Sequence, residues 1–115
     1  MSEDAPATRE SWKTLPIPAE REHFQLPLLF TDADGDRMRR GFIPESMDDK
    51  WFIFFENGWL YFHRSWTGSC VFGARLDGSP AGVRVVDAWA SRDKSVYNSA
   101  GIDSDKELLE HLIRS

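Results

Sequence analysis

Asn57-Gly58 stands between two dense runs of aromatic and branched apolar residues, WFIFFE before it and WLYFHR after it. An Asn-Gly pair in that setting specifies a two-residue hairpin, because both central positions of a type I′ turn need positive φ. A two-residue loop also fixes the pairing register, so Glu56 faces Trp59, Phe55 faces Leu60, Phe54 faces Tyr61, Ile53 faces Phe62, Phe52 faces His63 and Trp51 faces Arg64. Side chains alternate at period two. Trp51, Ile53, Phe55, Leu60, Phe62 and Arg64 therefore share one face, and Phe52, Phe54, Glu56, Trp59, Tyr61 and His63 share the other. The first reads as core. The second joins aromatic surface to a carboxylate, a phenol, an indole and an imidazole, so Phe52, Phe54, Trp59 and Tyr61 are the candidate partner-binding surface.

Further strands extend the hairpin. Residues 70–76 alternate, with Cys70, Phe72, Ala74 and Leu76 on one side and Val71, Gly73 and Arg75 on the other, and Gly73 leaves room for a neighbouring ring. Turn chemistry over residues 77–82 precedes a strand at 83–90. Residues 24–31 are extended, with Pro27 confining them to an edge or splitting them into two short pieces. Asp32 to Asp36 reads as a turn and residues 38–43 as a return strand. Residues 92–98 read as a short helical turn with Tyr97 packed inward. Ser104 and Glu107 have the spacing of a capping box, and Leu108, Leu109, Leu112 and Ile113 form a helical stripe. The expected fold is α+β, an antiparallel meander of four or more strands with a C-terminal helix packed on one face. It divides into an extended N-terminal arm, residues 1–22, and a single domain, residues 23–115. Trp12, Leu15 and Ile17 tuck against the body, residues 18–22 open a helical turn, and the second sheet face is shielded by the arm or left partly open.

Composition narrows the function. Nineteen acidic against 14 basic residues give a formal charge of −5, which argues against nucleic acid and anionic lipid as partners, since both need a positive field. The lone cysteine, Cys70, fits a reducing cytoplasm, and no apolar run approaches a membrane span or a secretory leader. His23, His63 and His111 lack ligand spacing with one another or with Cys70, so no metal and no cofactor is expected. The alternate aspartates at 32–36 resemble a calcium loop only in part: glycine falls at its fourth position and Ile43 at its twelfth. Arg37, Arg39 and Arg40 read as a solvated edge, with an anion or phosphate clamp as the alternative. Ser65, His63 and Asp87 do not make a convincing hydrolase triad without a Gly-x-Ser-x-Gly elbow.

The remaining composite is His63, Arg64, Ser65, Trp66, Thr67 and Gly68, a cation, hydroxyls, a glycine turn and an indole at one end of the hairpin. It suits a small anionic or nucleotide-like ligand. Equally, Arg64 stacks on Trp51 while Ser65 and Thr67 stabilise the turn. The stretches DKWFIFFENGWLYFHRSWTGSCVF and DAWASRDKSVYN, with the closing helix, resemble a family of small bacterial domains of unassigned function, over residues 47–113. The resemblance implies that the Arg-Ser-Trp-Thr-Gly turn and the strand end Trp89 to Asp93 form one constellation, with Arg92 or Asp93 approaching the turn, and an association with ADP-ribosyl-processing domains. It supplies no catalytic residues. The expected function is a non-catalytic binding or accessory module that meets a protein partner or small ligand through its aromatic face or the Arg64 to Ser69 turn. The alternative is an enzyme or regulator of a nucleotide or ADP-ribose-like molecule.

Overall fold

The computed structural model describes residues 6–114; residues 1–5 of the expected arm, and residue 115, lie outside the described residues. The strands are β1 (Arg21–Phe24), β2 (Leu29–Phe30), β3 (Trp51–Glu56), β4 (Trp59–Arg64), β5 (Cys70–Ser79) and β6 (Gly82–Ser91), with helices α1 (Asp32–Arg40) and α2 (Ile102–Arg114). The fold is α+β. Its six strands form one antiparallel sheet in the order β1-β6-β5-β4-β3, with β2 also paired to β6.

The β3–β4 hairpin has the expected register at all six pairs, and Asn57 (φ 52°) and Gly58 (φ 89°) make its turn. On the first face Leu60 and Phe62 enter the main core with Phe24, Phe72, Val83 and Ala88, closed by Leu109 and Ile113 of α2. On the second face Phe52 and Phe54 form a separate small core with Ala7, and Tyr61 packs against it. The arm supplies that cover. Ala7 N–H donates to Arg40 O at 2.7 Å, Trp12 Nε1–H to Ser65 O at 2.8 Å and Leu15 N–H to Gly68 O at 2.9 Å, while Arg9 pairs with Glu56.

Several expectations are corrected. Residues 32–40 are a helix, neither a turn nor a calcium loop, and the return strand at 38–43 reduces to one bridge between Phe42 and Ile53. Thr31 caps the helix by accepting from Asp34 N–H at 3.1 Å, Asp32 and Asp34 lie in the first turn and the arginines in the last, and Arg37–Asp34 and Arg39–Asp36 pair along it. Gly35 is there for packing: a Cβ would lie 2.4 Å from Val83 Cγ2. No helical turn opens at 18–22, since β1 starts at Arg21. The turn after β5 is only Pro80-Ala81. A bulge opposite Phe62/His63 sets Cys70 across from His63 and moves Val71 into the main core, which breaks the expected alternation. The capping box is not the start of α2: the helix begins two residues before Ser104, after Gly101 at φ 127°.

Pro27 does split its segment into β1 and β2, both on β6. Trp89 lies against Gly73, where a Cβ would come within 2.4 Å of the indole. Residues 93–97 make a single turn, with Val96 and Tyr97 N–H both donating to Asp93 O, and Tyr97 packs on the core.

Candidate functional site

The sequence-named residues separate into three places. The turn after β4 is held by its own bonds. Gly68 N–H donates to Arg64 O at 2.8 Å, Arg64 N–H to Ser69 O at 2.8 Å and Ser69 N–H to Thr67 Oγ1 at 3.2 Å. Ser65 Oγ donates to Asp49 O at 2.7 Å, and the Arg64 guanidinium lies 5.1 Å over the Trp51 ring. Trp66 is exposed, with its indole N–H on Met47 O at 3.1 Å. The groups offered for a ligand are thus engaged within the turn and the loop before β3.

Arg92 does not join them. It bonds Glu22 Oε1 at 2.7 Å and sits 2.8 Å from Asp105 Oδ2, while Asp93 accepts from Ser95 N–H and Oγ at the surface. Asp105 is fully buried on α2 and also accepts from Tyr97 OH at 2.6 Å and Ser99 Oγ at 2.8 Å. These contacts make Arg92 an anchor of the connection into α2. The Ser95 bonds hold the Asp93 carboxyl below its usual range.

The third place is a cavity of about 450 Å³ between the arm and the second sheet face. Phe54, Tyr61 and His63 form its floor, and Arg9, Thr14, Leu15, Pro16 and Ile17 its walls. Period-two alternation aims the three floor residues to one side, and the arm's bonds to Arg40, Ser65 and Gly68 set the walls over them. The rings are tiered, Phe54 to Tyr61 at 5.3 Å and Phe54 to His63 at 5.5 Å between centroids. Phe52 lies wholly buried beneath Ala7, and Phe54 is 2% exposed, so neither belongs to an exposed partner surface; Trp59 is half-buried and lines no part of this cavity.

His63 is the polar centre of the floor. Only 3% of it is exposed, and its Nδ1 lies 2.8 Å from Gly68 O. A carbonyl can only accept, so Nδ1 carries the hydrogen and Nε2 the lone pair. Nε2 has no hydrogen-bond partner among the described residues. The fully occluded side-chain N or O atom lacking a hydrogen bond is Asp105 Oδ2, whose ion pair with Arg92 compensates it; Nε2 is therefore reached from the cavity. Burial lowers the His63 pKa, the Gly68 carbonyl opposes that, and the Arg9 charge adds to it. The Tyr61 hydroxyl has no hydrogen-bond partner among the described residues either, and burial, with Cys70 and Glu56 nearby, raises its pKa and keeps its O–H. Cys70 is buried and pushed up to about 12, an inert thiol.

A larger cleft, about 610 Å³, opens on the other face between α1, the hairpin and α2. Its floor is aliphatic and aromatic, from Ile53, Leu60, Phe62 and Leu112, and its charges, Arg37, Asp48, Asp49 and Lys50, mix both signs. Size favours this cleft, but the smaller cavity holds two polar atoms without a hydrogen-bond partner among the described residues, His63 Nε2 and the Tyr61 hydroxyl, that orient a ligand. No group of His, Cys, Asp and Glu among the described residues is placed to hold a metal ion, and no described helix is long and apolar enough to cross a membrane. Sequence reasoning had named Phe54, Tyr61 and His63 but divided them between two sites, and it missed Arg9, Thr14 and Pro16. The usable signal was Leu15-Pro-Ile17, apolar residues in an otherwise polar segment. Comparison with known proteins finds no matching family model, curated protein or solved structure.

Proposed function

We propose that this protein is a non-catalytic binding module that holds a small ligand in the cavity between its N-terminal arm and the Phe54, Tyr61 and His63 face. The observation that carries this reading is the cavity itself, about 450 Å³ with stacked rings below and a 3% exposed imidazole turned to it. Its volume falls in the roughly 300–1,000 Å³ range of ligand sites, and a few polar atoms on an apolar floor are what such sites use to orient a guest. Binding without chemistry is supported by the surroundings of His63. Its Nδ1 partner is a carbonyl instead of a carboxylate, and Arg9 stands nearby, so an imidazolium gains no balancing anion there.

The test is a titration of the full chain with 1-methylindole, followed by NMR of the aromatic side chains. Saturable shifts should centre on Phe54, Tyr61 and His63, and Ile17→Asp, in the exposed wall, should weaken them without unfolding the protein. Shifts scattered over the surface, or unaffected by Ile17→Asp, would sink the reading.

A further inference from the structure

We infer that the ligand of this cavity is a planar aromatic azole, a ring bearing an N–H donor on one edge and an acceptor atom on another, with the N–H directed at His63 Nε2. The inference rests on the binding reading above and names its ligand class.

Three observations converge on it. First, Phe54 and His63 are only 2% and 3% exposed, so the apolar contact on offer comes from the half-buried Tyr61 ring and from Leu15, Pro16 and Ile17 of the arm, which suits a small apolar ring. An aliphatic chain would gain apolar contact there but leave both polar atoms unpaired. Second, the polar atoms differ in kind. Nε2 can only accept, because Nδ1–H is bound to Gly68 O, and the phenol of Tyr61 can donate. A guest that satisfies both must donate at one edge and accept at another, which a single azole or amide-containing ring does without rotatable bonds and their entropy. Third, the cavity lining includes Arg9 and no carboxylate, so a positively charged guest meets a guanidinium and no lining anion. A neutral ring is favoured over a protonated amine.

Selectivity follows from burial. A ring without the N–H leaves a nearly enclosed imidazole nitrogen without a donor, the loss of one hydrogen bond. That corresponds to about tenfold in Kd or more.

The experiment uses three matched probes on the full-length protein: benzimidazole, 2-methylbenzimidazole and 1-methylbenzimidazole. The two methylated rings have the same bulk, but only the 1-methyl compound lacks the N–H. NMR of the His63 imidazole nitrogens and the Tyr61 ring should show benzimidazole and 2-methylbenzimidazole binding alike, and 1-methylbenzimidazole about tenfold more weakly. The largest shift should fall on His63 Nε2. Equal affinity for all three would overturn the azole assignment and leave the binding reading standing. Absence of any shift at His63 and Tyr61 with all three would overturn both.

Discussion

Replacing Asp105 tests the least exposed charged side chain among the described residues. Its carboxylate has no solvent exposure and meets Tyr97 OH at 2.6 Å, Ser99 Oγ at 2.8 Å and Arg92 Nη2 at 2.8 Å. Hydrogen bonds to a charged group contribute about 1.5–3 kcal/mol each, and breaking a buried ion pair by removing one partner costs about 3–5 kcal/mol. Arg92 keeps Glu22 and is 26% exposed, so its stranded charge is partly solvated and the lower part of that range applies. Asp105→Ala should therefore lose about 3–4 kcal/mol, a large share of an ordinary domain's stability. Asp105→Asn keeps an oxygen for Tyr97 and Ser99 and loses only the ion pair, about half as much. Urea unfolding followed by far-ultraviolet circular dichroism should show midpoint falls on the order of 2 M and 1 M. A second reading comes from Tyr97, whose pKa is pushed up to about 12 by burial first and by Asp105 next. In Asp105→Asn the tyrosinate absorbance should appear at lower pH, because the anion opposing ionisation is gone. Asp105→Ala within about 1 kcal/mol of the parent, or a Tyr97 titration unmoved in Asp105→Asn, would refute the argument.

Gly73→Ala puts a Cβ 2.4 Å from Trp89 Cε2 and should cost about 1–3 kcal/mol in urea unfolding; a neutral result would mean Trp89 can move aside at no cost. Gly35→Ala gains about 1 kcal/mol of helix propensity but meets Val83 at 2.4 Å, so a net loss of stability is expected, and a gain would show that α1 lifts freely from the sheet. Trp66→Ala removes an exposed ring and should change stability by under about 0.5 kcal/mol, measured the same way. His63 faces Arg9 on the arm, Tyr61 on its own strand and Cys70 on β5, none of which offers a negative charge at neutral pH. Its pKa is lowered in the folded state, so the unfolded chain binds the proton first. The stabilising share from neutral His63 is whole above about pH 6.5 and is lost as the pH falls from there through the folded value. His63→Gln should flatten that part of the stability profile, and an unchanged slope would show that other groups govern it.

The hairpin could be read from the chain because its determinants are local: a left-handed Asn-Gly turn and period-two alternation set all six pairs. The α1 helix could not. Asp-Ala-Asp-Gly-Asp has turn composition, and only Met38 and Gly35 are buried in the helix, so no apolar stripe announces it. Its cap at Thr31, its charge order and the contact with Val83 decide the matter, the last of these across the fold. The bulge that exchanges Cys70 and Val71 is equally silent in sequence, since it arises from pairing with β4. The site was legible in halves. Phe54, Tyr61 and His63 stand out as polar-tipped aromatics on one face, whereas their neighbours come from the arm through backbone bonds that no periodicity encodes.

The arm also has a consequence for the order in which the chain acquires its shape. Ala7 closes a small core with Phe52 and Phe54, more than forty positions downstream, and Leu15 is tethered to Gly68. During synthesis the arm emerges before the hairpin and must wait for it to be made before it has anywhere to dock. Phe52 and Phe54, buried in the finished fold, stay uncovered until the arm docks, which makes the newborn chain, more than the finished protein, the form most exposed to aggregation and to chaperone capture.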